Sequence, residues 1–311
     1  MRRWTRWLVS TPVLIVLGSC TTVPDRPRPA PRVQPTPPSV RETKPTVQPR
    51  QTAAPLSFSY SGTRVQGGAV IGIAPLGTSL LTLDGAPVSV TPDGRFLIAF
   101  DRDAPPTAEL QATLDDGRVV RDTLTIAPRG WQIERLDSLP RFSQETAEFN
   151  RLRPAELAQI NAARRINADS QGWRQTFLWP VTGRISGLFG SQRIYKNGEA
   201  GAYHSGVDVA QPQGTIVMAP ADGVVILAAD HPFTLEGNLL MIDHGMGLNT
   251  ALLHLSRIDV HVGEHVRRGQ AVGAIGMTGR ATGPHLHWSM KWRSSRIDPL
   301  LLAGPMPVTQ Q

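Results

Sequence analysis

Two short strings, His204-Ser-Gly-Val-Asp208 and, far downstream, His285-Leu-His287, constrain this chain more than any other feature. All eight histidines fall between positions 204 and 287, and the first 203 residues hold none. Together the strings supply His, Asp and His, the kind of ligand set a catalytic zinc site uses while leaving a fourth position for water. His254 lies between the strings and His285 is spare beside the second. Zinc hydrolysis needs such a surplus, because imidazoles outside the ligand set move protons and steady charge. The clustering points to one chemical domain at the C-terminal end.

The spacing carries geometry. Residues two apart on a strand project from one face, so one histidine of His285-Leu-His287 can bind metal while its neighbour reaches the water. Trp288 and Met290 suit a pleated, half-buried strand. The His204 to Asp208 interval fits a helical turn, but Gly206, Val207 and Val209 disfavour a helix. The segment reads as a loop entering a strand, with Gly206 permitting a sharp path that brings both ligands to one metal. An isolated H-x-H is more often a core or surface pair, and an isolated H-x-x-x-D says less. Both together, in a histidine-free background, favour the metal.

Further strings run in order: Pro180-Val-Thr-Gly183-Arg184-Ile-Ser-Gly-Leu-Phe189-Gly190-Ser-Gln-Arg193, Ala219-Pro-Ala-Asp-Gly223, Asp243-His-Gly245, Leu253-His254-Leu255 and Thr278-Gly-Arg-Ala-Thr-Gly-Pro-His285-Leu-His287. From about Trp179 to Leu302 the chain resembles the lysostaphin-type (LytM-type) zinc metallopeptidases of peptidoglycan. The resemblance implies a compact, mostly antiparallel β fold with the metal in a long groove. It implies His204, Asp208 and His287 as zinc ligands and His285 and His254 as the catalytic pair. His285 would take the water proton and pass one to the leaving amine; His254 would hydrogen-bond the water or the oxyanion. Leu252 departs from the pattern, since relatives often carry tyrosine there. His231, His244, His261 and His265 read as turn or surface residues, with Asp243-His-Gly245 a hairpin-turn signature.

The other end of the chain addresses location. Met1-Arg2-Arg3-Trp4-Thr5-Arg6 is a basic region before an apolar stretch from Trp7 to Leu17, too short to span a bilayer and suited to an export signal. Leu17-Gly18-Ser19-Cys20 contains the only cysteine and resembles a bacterial lipoprotein processing site, whose acylated Cys20 would anchor the mature chain to a membrane. Thr21 after it favours the outer membrane of a Gram-negative cell, facing the periplasm. A lone cysteine excludes an internal disulfide. Residues 21–55 are Pro-rich with little to bury and form an extended, disordered tether reaching on the order of 100 Å at most.

The expected architecture is mostly β: a signal at 1–20, the tether at 21–55, a small β-sandwich at 56–133, a helical bridge at 134–172, the zinc peptidase domain at 173–305 and a tail at 306–311. The sandwich rests on strand-like runs such as Ser79–Leu83 and Arg95–Phe100 between the turn signals Asp84-Gly85, Asp93-Gly94 and Asp116-Gly117. In the bridge, Pro154 suits a first helical turn and Leu157, Ile160, Ala163 and Ile166 recur at three-residue steps. A bridge near the groove would restrict access until a regulatory or divisome partner moves it.

Net charge is +7 with a pI near 10.4. The arginines are scattered rather than gathered on one element, so anionic wall and lipid surfaces account for them better than nucleic acid. Three functions stay open: a zinc endopeptidase cutting cross-links or stems of peptidoglycan, a non-catalytic regulator that activates wall amidases, and a zinc-stabilised wall-binding module. The regulator would have lost ligands that are all present here, and the module would need neither His254 nor His285.

Overall fold

The computed structural model describes residues 56–138 and 146–307. The export signal, the tether, residues 139–145 of the bridge and residues 308–311 of the tail lie outside the described residues. Seven strands come first: β1 Ser59–Gly62, β2 Ala69–Ile73, β3 Thr78–Leu83, β4 Ala86–Val88, β5 Arg95–Ala99, β6 Thr107–Leu114 and β7 Val119–Thr125. They form two antiparallel sheets, β1-β2-β5 and β4-β3-β6-β7. Between β3 and β4, Asp84 and Gly85 are both left-handed (φ 48° and 78°), as a two-residue hairpin turn requires. On β6 the period-two alternation buries Ala108, Leu110, Ala112 and Leu114.

The segment expected to be a helical bridge opens with a strand. Residues β8 Ile133–Leu136 pair in parallel with β10 Gln192–Tyr195, and Arg193 Nε donates to Glu134 at 2.7 Å across the ladder. One helix follows, α1 Ala147–Ala163, started by Thr146, whose hydroxyl accepts from Phe149 N at 3.1 Å. Pro154 therefore lies inside the helix rather than in its first turn. The three-residue apolar steps also fail as a stripe: each step falls about 60° short of a full turn, so the run walks around the helix. Ile160 and Ala163 are buried, whereas Leu157 and Ile166 are 41% and 46% exposed.

The C-terminal domain adds β9 Arg184–Gly187, then β11 Gly206–Ala210, β12 Ile216–Met218, β13 Gly223–Ala228, β14 Asn238–Asp243, β15 Leu248–Ile258, β16 His265–Val266, β17 Ala271–Ile275, β18 His285–Trp292, β19 Ser295–Ile297 and a closing turn of helix, α2 Pro299–Ala303. Its main path is β16-β13-β14-β15-β18-β11-β9, with β17 beside β15 and β12, and β19 beside β18. Central strands are buried on both faces, which is why β14 reads Leu-Leu-Met-Ile without alternation. One face packs Leu240, Ile242, Leu252 and Trp288 into the main core. Against the other, Ile160 and Ala163 of α1 cover Met241 and Ala251. Leu252, the departure from the tyrosine pattern, is fully buried in the main core and faces no groove.

The same apolar cluster runs on into the first two sheets, through Phe96, Ile98 and Leu110. Polar ties cross with it. The buried guanidinium of Arg102 donates from Nε to Gly190 O at 3.1 Å and from Nη2 to Gln192 Oε1 at 3.0 Å, and Arg129 pairs with buried Asp298 at 2.8 Å.

His244 occupies the β14–β15 turn, but it is fully buried rather than a surface residue. Its Nδ1–H donates to Asp222 O at 2.7 Å, so Nε2 accepts from the Thr250 hydroxyl at 2.9 Å. Phe177 stands edge-on to the ring at 5.0 Å. Burial pushes the imidazole down from 6.5 to about 4, against the opposing Asp222 hydrogen bond. The folded state thus refuses a proton that the unfolded chain accepts, and stability drains away as pH falls from 6.5 to about 4. His244→Ala should cost about 3 kcal/mol at neutral pH, by lost packing and two orphaned partners. Because alanine binds no proton, denaturant titrations should show that difference shrinking by up to about 3 kcal/mol between pH 6.5 and 4.

Candidate active site

The sheet register assembles the site. On β11, Asp208 sits directly opposite His287 of β18, and His287 sits opposite Leu253 of β15. His204 precedes β11 and is held by its own backbone, His204 N donating to Ser191 O at 2.8 Å while its carbonyl accepts from Gly190 N at 2.8 Å. Three atoms converge: Asp208 Oδ1 lies 3.1 Å from His204 Nε2 and 2.8 Å from His287 Nδ1, and the two nitrogens are 3.0 Å apart. These residues form the potential metal-ligating group found among the described residues.

The donor set fits a cation. His204 Nδ1–H donates to Leu188 O at 3.0 Å, which orients the ring and turns Nε2 toward Asp208, where it holds a proton against the carboxylate or offers its lone pair to a metal. Burial raises the Asp208 carboxyl, but hydrogen bonds from His204 and His287 and their charges outweigh it and hold the group well below the ordinary carboxylate range. Burial lowers His287 against the pull of Asp208. Three electron-pair donors aimed at one point repel unless a positive charge lies between them, and His, Asp and His suit zinc.

Two glycines make room for this convergence. A Cβ on Gly187, opposite Asp208 on β9, would come within 2.5 Å of Asp208 Oδ2 and 3.1 Å of His204 Cε1. One on Gly206 would strike Trp288 O and reach 2.8 Å from His287 Nε2. Gly206 was expected to permit a sharp path, yet it is absent from the left-handed residues and supplies space instead.

His285 and His254 stand beside the three. His285 shares the strand face of His287, with Nε2 3.8 Å from Asp208 Oδ1 and Nδ1–H donated to Gly283 O at 2.8 Å. Strict alternation would turn His254 away, because its neighbour Leu253 is the residue opposite His287. A left-handed backbone at His254 (φ 63°) breaks the alternation and brings its ring to 4.8 Å from His285 and 6.2 Å from His287. Its Nδ1–H donates to Thr278 O at 2.9 Å. Burial, then the nearby His285 and His287, push it down to about 4 despite the Thr278 bond, so it is neutral and Nε2 is an acceptor.

The groove that holds His204 and Asp208 has a volume of about 1930 Å³ and is lined by residues of β8 and β10 and by Phe149 of α1. The loop between β13 and β14 carries the link from α1 to His254. Arg153 donates from Nη1 and Nη2 to Glu236 at 2.5 and 2.7 Å, and from Nη1 to Glu156 at 3.1 Å. Glu156 accepts from Thr234 N and Oγ1, both at 2.6 Å. Glu236 O then receives His254 N at 2.9 Å, while Asn238 N donates to Thr278 Oγ1 at 2.9 Å. Sequence reasoning missed Arg153, Glu156, Glu236, Thr278 and Gly187. Motif context marked Thr278 and Gly187 without a role, and nothing local marks an arginine whose partner is 83 positions away.

Comparison with known proteins places this geometry. The model of peptidase family M23 matches residues 202–299. The peptidoglycan DD-endopeptidase ShyA of Vibrio cholerae is 42% identical over 123 residues, 40% of this chain and 28% of that protein. The DD-carboxypeptidase/endopeptidase Mpg of Neisseria meningitidis is 39% identical over 128 residues, 41% of this chain and 29% of that protein. The chain thus spans under a third of the curated relatives it matches. A solved peptidase M23 structure from Pseudomonas aeruginosa superposes with a TM-score of 0.60 at 28% identity, over 78% of this chain and 96% of that one.

The side chains of Arg153, Glu236 and Glu156 are only 14%, 12% and 5% exposed. Arg153→Ala should cost about 3 kcal/mol by leaving two carboxylates buried without their cation. Amide exchange at His254 should accelerate in that variant more than at Leu240 of the neighbouring strand; equal acceleration at both would deny a local link.

Proposed function

We propose that this chain, whose residues 202–299 match the model of peptidase family M23, is a zinc-dependent endopeptidase that hydrolyses peptide cross-links or stems of peptidoglycan. The observation that carries the reading is the convergence of His204 Nε2, Asp208 Oδ1 and His287 Nδ1 within hydrogen-bond distance, with two further imidazoles beside them. His204, Asp208 and His287 would hold the zinc. The metal supplies Lewis acidity, making water a nucleophile near neutrality and polarising the scissile carbonyl.

The chain's own groups handle the protons. His285 donates Nδ1–H to Gly283 O, so Nε2 is the free base and faces the centre. It takes the proton of the attacking water and returns it to the leaving amine. Neutral His254, with Nδ1–H committed to Thr278 O, presents a lone pair at Nε2 and orients the water by accepting its second O–H. That geometry favours the water-orienting role over an oxyanion contact, which would need a proton on Nε2.

Relatives that are named as DD-endopeptidases of peptidoglycan support a cross-linked wall peptide as substrate. Wall cleavage places the enzyme outside the cytoplasm. The signal before Cys20 supports a lipid anchor in a membrane facing the periplasm, the outer membrane being favoured, and the contribution of α1 to the groove lining supports control by a regulatory or divisome partner. The non-catalytic regulator of amidases gains nothing from His254 and His285.

Zinc content measured beside turnover of cross-linked dimeric muropeptides tests the assignment. His204→Ala and Asp208→Ala should lose both metal and activity. His285→Ala should retain zinc and lose about 10²- to 10⁴-fold in kcat. A metal-free His285→Ala protein, or wild-type turnover that survives chelation, would refute the proposal.

A further inference from the structure

Charge gathers at a second place on the face that carries the histidines. Lys291 lies two alternations beyond His287 on β18, so it projects from the same face, on the order of 13 Å along the strand. Its partner across the β18–β19 ladder is Arg296, which also lines the groove that holds His204 and Asp208. Directly opposed residues on antiparallel strands stand about 5 Å apart at Cβ, and like charges there repel. The helix α1 packs on this face too: its Ala163 covers Ala251, which sits opposite Ser289, one alternation before Lys291, and Arg164 at the C-cap follows directly and joins the cluster. The Arg164 Nε is buried with no hydrogen-bond partner, an arrangement native proteins seldom leave unexplained.

No carboxylate forms an ion pair with any of the three among the described residues. Asp101 and Glu236 are the acids near them, but Asp101 accepts from Arg296 N at 2.7 Å and from the Tyr203 hydroxyl at 3.1 Å, and Glu236 is held by Arg153. Tyr203 in turn orients Arg296, whose Nη1 donates to that hydroxyl at 3.3 Å and whose guanidinium lies 5.3 Å from the ring centre. The strain registers on Lys291: burial, then Arg164 and Arg296, push its ammonium down to about 8 against the pull of Asp101. Burial, then Arg296, lower Arg164 against the pull of Glu236. The C-terminal end of α1 offsets this with a partial negative charge only.

We propose that Arg164, Lys291 and Arg296 form an anion subsite of the groove that holds a carboxylate of the bound peptide, away from the cleaved bond. The assignment rests on the peptidase reading above. An arginine fork and an ammonium converging on one face are the donors a carboxylate accepts from, and the ligand charge relieves a repulsion that the free protein carries. The subsite makes the enzyme selective for strands whose carboxylates are free rather than amidated.

Two measurements test it. In the first, thermal unfolding of the zinc-loaded protein is followed in glutarate and in chloride at equal ionic strength. Glutarate should raise the wild-type midpoint by several degrees. Lys291→Met and Arg296→Gln should lose the rise, while Lys291→Arg, which keeps the charge, should retain it. Without glutarate, Lys291→Met should unfold at or above the wild-type midpoint, because one of the opposed charges is gone. In the second, turnover is measured on cross-linked dimers with free or amidated carboxylates. Both charge-removing variants should raise KM for the free form about tenfold or more with kcat little changed. Wild type should show the same penalty on the amidated form. A glutarate shift equal in wild type and both variants, or a wild-type KM indifferent to amidation, would overturn the subsite. Wild-type protein inert on every dimer would instead defeat the peptidase reading, and the glutarate series would still decide the subsite.

Discussion

The C-terminal sheet gathers its imidazoles around one carboxylate that is largely shielded from water. An ionised aspartate in a weakly polar setting is costly unless it is paired and hydrogen-bonded. Asp208 meets that condition through two imidazoles on Oδ1, one from the loop before its own strand and one from the strand beside it. The pairing depends on register: a one-residue slip of β11 against β18 would send Asp208 to the opposite face and separate it from His287. Register is held in turn by apolar burial behind the site. Val207 and Val209 on β11 and Leu286 and Trp288 on β18 face the main core and are essentially inaccessible to solvent. The polar centre is therefore located by the hydrophobic pattern of its own strands.

That dependence explains how much was legible in the sequence. Period-two projection was enough to put His285 and His287 on one face, and Gly206 with two valines was enough to exclude a helix at His204 to Asp208; β11 and β18 lie where those arguments led. What strict periodicity forbids could not be read. His254 reaches the centre because one left-handed residue reverses the alternation, and no composition rule predicts a positive φ at a histidine inside a strand. Pro154 in mid-helix escaped for a related reason. The start of α1 is set by the Thr146 cap, a contact that outweighed the proline's preference for a first turn. His244 looked like an ordinary turn residue because the turn is local, whereas its burial comes from Phe177 and Asp222, distant in sequence.

The arginine excess divides in the same way. Counted as composition it suggests a diffuse attraction to anionic surfaces. In the fold, several arginines are internal ties with assigned acceptors: Arg102 to the Gly190 carbonyl and Gln192, Arg129 to Asp298, Arg153 to Glu236, and Arg174 to Asp93 through two bonds of 2.9 Å. The guanidinium suits this work because its fixed fork satisfies two acceptors at once. Against that background, cations without an acid partner stand out. Lys291, Arg296 and Arg164 are exceptional for their mutual opposition on a functional face, which composition alone could never separate from the rest.

The strain at His254 is best understood through where it falls on β15. Up to Leu253 that strand pairs with β18, and from Leu255 onward it pairs with β17, so His254 is the point at which one edge changes partner. A non-glycine residue in the left-handed region costs about 1–3 kcal/mol and persists only where its surroundings over-determine it. Here they do: the amide is held by Glu236 O and the ring by Thr278 O, on two loops that contact each other through Gly237 and the Thr278 hydroxyl. The loop bearing Glu236 is fixed in turn by Arg153 and Glu156 from α1. A kink that lets one strand serve two neighbours also delivers the second imidazole, so the cost of the strained residue is met by contacts that the helix supplies. This makes α1 part of the physical support of the site as well as part of the groove wall, because displacement of the helix would reach His254 through the Arg153–Glu236 ion pair and the Glu236 carbonyl.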